Sequence, residues 1–392
     1  VLWVSPLPPV RSGVSDYSAE LLPYLARAVR LRVATPPGWR DGEWAPPAEA
    51  ALVAGDRPAR EDDIVVVHLG NNPHHIWTLR HLEGPGRIVV VLHDLVLHHL
   101  LVESTLATGD FAAYERLLVA AHGHQGEALA AARRWGFTGP RDPFLFPARR
   151  PFLERAAMAV THSRWGAERV ARERPDLPVE TVPMGVADPG PVDRAAVRRE
   201  LGVGERELVL MHLGFLTPAK GLHVVLAAVA AATRRGVAVR LVLVGEGGAG
   251  GGPLREAAAA LGIEDRLTGT GWVDVEAMRR LPAAADLGVV IRSPSAGETS
   301  AAALRFLACG TPVAVTGLHQ LLEIPPAAAP RLTPGCEAAD LLRLLLQLAA
   351  RRPRAGVRRA EARRAYDAGH RLERAAAAWE AVLRRLGADR AG

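Results

Sequence analysis

Lysine is almost missing from this chain. Of its 392 residues only Lys220 is a lysine, and every other basic side chain is arginine. Lysine is ordinarily abundant in soluble domains, so a pressure toward arginine acts along the whole sequence and one position has kept its ammonium. An ammonium is a compact three-donor charge and a guanidinium a planar fork, so a site shaped for the first rejects the second. Phosphate is the natural ligand of such a site; the plain alternative is a single surface lysine that survived by chance. Asparagine is nearly as scarce. Asn71 and Asn72 are the only two, side by side, just after the apolar run 64–67. Such a pair is either a turn former or a pair of polar groups set beside a ligand.

Other absences narrow the class. Two cysteines, Cys309 and Cys336, supply neither a disulfide framework nor a thiolate metal site, and both are expected to be reduced. Aromatic residues make up only 5% and the arginines are dispersed, so the formal charge of +6 lacks the stacking platforms of a nucleic-acid binder, and no nucleic-acid partner is expected. The densest clusters, Arg351-Arg352-Pro-Arg354, Arg358-Arg359 and Arg363-Arg364, alternate with Ala, Glu and Leu as a solvated helix face does. Peripheral contact with an anionic membrane stays open. No apolar run reaches the length of a membrane span, and Val1-Leu-Trp-Val-Ser5 reads as a strand rather than a leader. A cytoplasmic location is therefore expected, with placement at the inner face of the membrane as its variant; the missing initiator Met suggests a trimmed start and leaves a removed leader open.

What is present is the material for a large core, since 49% of the residues are hydrophobic. The length favours two domains. Short apolar runs near 1–5, 31–35, 64–69, 87–92, 157–161 and 179–182 alternate with helical stretches, and the pattern restarts with runs near 208–213, 239–244, 286–291 and 312–315. That alternation predicts an α/β fold of two doubly wound parallel sheets covered by helices. The Pro- and Gly-rich stretch Val182–Pro191 is the expected linker, 36–60 reads as surface loop, and 104–135 as a helical, alanine-rich insertion. The domains are set at 1–185 and 186–370, with a terminal helix over 371–392 crossing back toward the first. Ligands are expected in the crevice at the carboxyl ends of the strands.

Strand, glycine-containing loop and helix recur where an anion would bind. In Leu208-Val-Leu-Met-His-Leu-Gly-Phe-Leu-Thr-Pro-Ala-Lys-Gly221, Gly214 and Lys220 precede a helix whose N-terminal N–H groups suit a diphosphate. Gly245 and Gly247 after the next strand spell part of a G-x-G-x-x-G string, which five clustered glycines make nearly inevitable and which reads as a flexible loop. In Arg292-Ser-Pro-Ser-Ala-Gly-Glu-Thr-Ser300, Gly297 permits close backbone approach, Thr299 or Ser300 caps the next helix, and Glu298 offers an acceptor for sugar hydroxyls. Gly13, in Pro8-Pro-Val-Arg-Ser-Gly-Val-Ser-Asp16, repeats the device after the first strand. Ten of the fourteen histidines precede residue 163. A metal site is not expected among them, because no H-E-x-x-H or D-x-D pattern appears and His98 and His99 would point to different faces of a helix. His93, at a strand's carboxyl end, reads either as a polar group reaching the crevice or as a satisfied core histidine.

Ser12-Gly-Val-Ser-Asp-Tyr-Ser18, Leu69-Gly-Asn-Asn-Pro-His74, Leu92-His-Asp-Leu-Val-Leu-His98, Gly214-Phe-Leu-Thr-Pro-Ala-Lys220 and Gly297-Glu-Thr-Ser300 together resemble the retaining, family-4-type glycosyltransferases of GT-B architecture, in the branch with the Gly-Glu-Thr-Ser pattern. The resemblance implies that a nucleoside diphosphate sugar is held by the second domain and that no resident cofactor or metal is needed. Lys220 is then expected at the diphosphate, and Gly214, Gly245, Gly247, Trp272, Gly297, Glu298, Thr299, Ser300 and Arg305 around the donor. His93 is expected near the transferred sugar, with His93, Lys220 and Glu298 as the catalytic set. Ser12, Gly13, Asp16, Asn71, Asn72 and His162 are implied on the side of a hydroxyl acceptor, which is a saccharide, a lipid-linked sugar or a small molecule. Two departures stand out. Phe215 occupies the place of an arginine, and Arg305 and Gly297 occupy the places of two glutamates, so Arg305 is a candidate for restoring the missing charge. Nucleotide-sugar epimerisation, and a decayed nucleotide-sugar-binding or scaffold protein, are the competing readings.

Overall fold

Runs such as Ile64–Leu69 and Leu208–Leu213 carry apolar side chains at both parities of the strand and are buried throughout. A strand with two apolar faces needs cover on both, which is the condition of a parallel sheet between helix layers. The computed structural model shows this arrangement twice; it describes residues 1–40, 44–246, 252–350 and 355–387.

The first sheet has seven parallel strands: β1 (Leu2–Val4), β2 (Leu31–Thr35), β3 (Ala50–Ala54), β4 (Ile64–Leu69), β5 (Arg87–Leu92), β6 (Met158–Thr161) and β7 (Val179–Thr181), in the order β3-β2-β1-β4-β5-β6-β7. The second has six: β8 (Leu208–Leu213), β9 (Val239–Val244), β10 (Leu267–Gly271), β11 (Leu287–Val290), β12 (Val313–Thr316) and β13 (Arg331–Leu332), ordered β10-β9-β8-β11-β12-β13. Both are doubly wound, and in each the strand order reverses beside the first strand, between β1 and β4 and between β8 and β11.

The chain divides into two compact units. One comprises Val1–Gly185, Ala296–Thr299 and Leu372–Gly392; the other comprises Val186–Ser295 and Ser300–Arg371. The helix Leu372–Arg385 completes the first unit. Its Trp379 is fully buried, lies edge-on to Trp3 of β1 at 5.3 Å between ring centroids, and donates its indole N–H to the Tyr17 hydroxyl at 2.8 Å. Within the second unit, Val186 and Arg371 form a parallel bridge and the Val186 N–H donates to His370 O at 3.0 Å, so the entry and exit of that unit lie side by side.

Three strands depart from the sequence reading. β3 lies inside the stretch read as surface loop and pairs with β2 over five residues. It is an edge strand, half-buried to exposed, and three of its five residues are alanines, small side chains of low strand propensity that do not mark a strand in sequence. β10, Leu-Thr-Gly-Thr-Gly, and the two-residue β13 are edges too. The glycine-rich loop with Gly247 and the cluster Arg351–Arg354 lie outside the described residues.

Candidate functional site

In the first unit the sequence-derived candidates gather at the carboxyl ends of β1, β4, β5 and β6. After β1, Ser12 caps the helix Gly13–Leu25, its hydroxyl accepting the Ser15 N–H at 3.1 Å. A Cβ at Gly13 would meet nothing within 4 Å, so the first turn of this helix opens onto free space, with Asp16 half-buried beside it. After β4, both asparagines are engaged in capping. Asn71 Oδ1 accepts from the His99 N–H at 2.9 Å, at the start of the helix His98–Ser104, while Asn72 Oδ1 accepts from the His74 N–H at 3.0 Å. The Asn71 N–H in turn donates to Asp94 at 2.7 Å.

Behind these loops lies a cluster of imidazoles that the sequence reading met only in part. His93 Nε2 is 2.8 Å from His68 Nδ1, and the His93 ring centroid is 4.8 Å from that of His162. Tyr17 covers both, at 5.4 and 5.1 Å, and Trp3 lies against His68 at 4.3 Å. His162 Nδ1 is 2.9 Å from Val182 O and His75 Nδ1 is 2.8 Å from His68 O. A carbonyl only accepts, so both rings carry their proton on Nδ1 and keep a bare, buried Nε2. His68 Nε2 is buried without a partner. An orphaned buried N–H is rarer than an orphaned acceptor, which puts the His68 proton on Nδ1, donating to His93 Nε2, and leaves His93 with an Nδ1–H to offer. Burial holds the whole cluster neutral. It pushes His68 and His93 well below the ordinary imidazole value, His75 and His162 down to about 4, and the Tyr17 phenol up.

His98 and His99 diverge as their adjacency requires. His98 is buried, with Nδ1 2.6 Å from Phe146 O and Nε2 3.2 Å from the Tyr114 hydroxyl, while His99 is exposed. Gly297, Glu298 and Thr299, expected with the donor, belong by contact to the first unit. Gly297 has φ +78°, and a Cβ there would lie 2.9 Å from the Trp165 ring and 3.0 Å from Leu95 Cγ, so close packing requires glycine. Ala296 O accepts the Leu95 N–H at 2.8 Å, and Glu298 Oε2 accepts the Ala296 N–H at 3.0 Å.

In the second unit, loops after four strands are laced together at their carboxyl ends. The Gly214 N–H donates to Val244 O at 2.8 Å, the Gly245 N–H to Gly271 O at 3.0 Å, and the Ser293 N–H to Ala219 O at 3.1 Å. Gly245 has φ +139°, and a Cβ on it would stand 2.3 Å from Gly214 O. Lys220 closes a short 3-10 turn, Pro218–Lys220, half-buried, just before the helix Leu222–Thr233. Trp272 is half exposed beyond β10, and Phe215 is 44% exposed. Ser300, not Thr299, caps the helix Ala301–Ala308, its hydroxyl accepting the Ala303 N–H at 3.3 Å, and Arg305 is buried within that helix.

Two residues here were missed because arginine and histidine are common in this chain and carry no motif. His212, on β8, is buried and pushed down to about 3, first by burial and then by the charges of Lys220 and Arg292. Arg292 is only 6% exposed; its backbone N–H donates to Thr316 Oγ1 at 3.1 Å and its guanidinium to Ile291 O at 3.0 Å and Ser300 Oγ at 3.4 Å.

Residues 207–350 match the family model of the glycosyl transferases group 1. A D-inositol 3-phosphate glycosyltransferase of Segniliparus rotundus is 38% identical over 142 residues, which are 34% of this chain and 31% of that protein. The chain spans 31–40% of the length of the curated relatives it matches. Over nearly the whole chain it has the fold of sucrose-phosphate synthase from Thermosynechococcus elongatus, with a TM-score of 0.69, 17% identity and 98% of each chain covered. It is similar also to Anabaena Alr3699/HepE in complex with UDP and glucose, with a TM-score of 0.65, 16% identity, and 98% of this chain and 99% of that one covered. At such identities the likeness to these structures is one of fold. Residues 207–350 are thus similar to the group 1 glycosyl transferases, and the chain as a whole has the GT-B fold of two parallel-sheet α/β units.

Proposed function

We propose that the protein transfers a hexosyl group from a nucleoside diphosphate sugar to a hydroxyl acceptor, with retention at the anomeric carbon and without a resident cofactor or metal. The observation that carries this reading is the laced, glycine-lined edge of the second sheet. There Lys220, the chain's one ammonium, stands beside the reversal of strand order between β8 and β11 and ahead of a helix N-terminus. Departure of the diphosphate develops negative charge, and fixed donors aimed at that charge act as electrostatic catalysts. The leaving phosphate oxygen would take the acceptor's proton on the same face of the sugar, so no protein nucleophile is required. The UDP and glucose bound by Alr3699/HepE support a nucleotide-sugar donor, and the named activity of the Segniliparus relative supports a hydroxyl acceptor.

In the first unit, His93 would present its Nδ1–H to a sugar hydroxyl, and the first turn of the helix Gly13–Leu25 would receive the acceptor. A buried imidazole that stays neutral serves as a hydrogen-bond donor over the whole physiological range. Among the described residues no helix is long and apolar enough to cross a membrane. Peripheral contact from the cytoplasmic side is supported by the turn after the helix His124–Arg134, where Trp135 is 80% and Phe137 73% exposed between Arg134 and Arg141.

The test is turnover of a panel of nucleotide sugars by wild type and Lys220→Ala, with anomeric configuration read by NMR on any product. A donor should be consumed with α-to-α or β-to-β outcome, and the variant should fall by about a hundredfold or more, as for loss of a single oxyanion donor. Near-normal turnover by Lys220→Ala would remove the assignment, and an inverted product would remove retention.

A further inference from the structure

A departing nucleoside diphosphate carries more than one negative charge, and one ammonium answers only part of it. Arg292 brings a second cation to the same edge. β8 and β11 are neighbours in the sheet, and the strand order reverses between them; Lys220 follows β8 and Arg292 follows β11, so the two flank the place where a doubly wound sheet receives its ligand. Their backbones are held in contact. The Ser293 N–H donates to Ala219 O at 3.1 Å, and a Cβ on Gly221, which has φ +61°, would lie 2.6 Å from Ile291 Cγ2. His212, on β8, is near enough to both charges for each to lower its basicity. The Thr316 hydroxyl fixes the Arg292 backbone, and the guanidinium reaches Ser300, the cap of the helix Ala301–Ala308. Lys220, Arg292 and the positive end of the helix Ala301–Ala308 therefore lie at the same edge of the sheet, where positive charge favours an anion. Arg305 is placed differently, in the second turn of the helix and near Cys309 at its far end.

We propose that Arg292, rather than Arg305, is the second diphosphate-binding residue, gripping a phosphoryl group with its planar fork while Lys220 faces the remaining oxygens. The inference rests on the donor reading given above and deepens it. A fork binds two oxygens at once where an ammonium acts as a point charge, so the pair divides the work: Arg292 sets the orientation of the phosphoryl group and Lys220 follows its charge.

The experiment is calorimetric titration of wild type, Arg292→Gln and Arg292→Lys with the nucleoside, its monophosphate and its diphosphate in the uridine, guanosine and adenosine series. The readout is the ratio of nucleoside to diphosphate dissociation constants, which a merely structural role would leave unchanged because it would weaken all three ligands alike. Arg292→Gln should reduce that ratio by about tenfold to a hundredfold, as expected for a charge-assisted pair, and Arg292→Lys should restore part of it. A wild-type ratio in Arg292→Gln overturns the proposal. Should that variant fail to fold, Arg292→Lys decides, since it keeps the charge and loses the fork: an undiminished ratio there overturns the bidentate grip. Wild type that binds no nucleoside diphosphate removes the donor reading and this inference with it, whereas wild-type binding with unchanged variants removes this inference alone.

Discussion

At the scale of single residues, two glycines at helix-forming loops have opposite tolerances. Gly245 holds φ +139° with Gly214 O where its Cβ would be, so Gly245→Ala meets both a backbone clash and a forbidden conformation. It should cost about 2–4 kcal/mol, in the range of strain and overpacking combined, seen as a lower urea midpoint at unchanged slope. Gly13 faces open space in the first turn of a helix. Gly13→Ala should leave the urea midpoint unchanged or raise it, by up to about 1 kcal/mol from helix propensity, while lowering turnover if an acceptor approaches there. A stable Gly13→Ala with full turnover would clear that helix start of a role. The same scale explains the fate of the asparagines. Rare as they are, their side-chain oxygens are occupied with backbone N–H groups, the local bonding that makes Asn a turn and cap residue.

At the scale of elements, the helix Leu372–Arg385 is the piece whose loss the first unit would feel most. Trp379→Ala would open the space against Trp3 and Tyr17 and should cost about 3–5 kcal/mol. Trp379→Phe keeps most of the volume but removes the indole N–H from the buried Tyr17 hydroxyl, at about 1–3 kcal/mol; equal midpoints for the two variants would show that the ring's bulk is irrelevant. The turn after His124–Arg134 makes a different prediction. Replacing Trp135 and Phe137 together by Ser should abolish co-sedimentation with vesicles of phosphatidylglycerol and phosphatidylcholine without altering the melting temperature, and retained sedimentation would remove the membrane contact. Central strands and the terminal helix were legible in the sequence because apolar runs and periodicity are local signals. β3, β10 and β13 were not, being edges built largely of alanine, of threonine and glycine, and of two residues alone. The loop glycines and Lys220 stood out by rarity, but the His68–His93 pair and Arg292 gain meaning only from parallel pairing that sets β4 beside β5 and β8 beside β11, and no spacing within the chain displays that.

At the scale of the molecule, the neutral imidazoles make the fold acid-sensitive. His75 and His162 are lowered from 6.5 to about 4, His212 to about 3, and His68 and His93 well below the ordinary value, all chiefly by burial. The unfolded chain binds these protons first, so their contribution is fully present above pH 6.5 and is lost as the pH falls from there toward 4. Each such group contributes a slope of up to about 1.4 kcal/mol per pH unit in that window. The urea midpoint should therefore drop steeply between pH 6.5 and 4 and be flat from 7 to 8; a midpoint constant down to pH 5 would mean that the cluster already carries protons in the folded state. The side-by-side entry and exit of the second unit, at Val186 and Arg371, bear on the order of events during synthesis. The second unit is, in topology, an insertion into the first. Residues 1–185 leave the ribosome long before Trp379 does, so Trp3 and Tyr17 stay uncovered until the helix Leu372–Arg385 follows. Folding from the amino end is therefore left incomplete for the first unit, and the nascent chain has most need of a chaperone during the interval before the helix Leu372–Arg385 emerges.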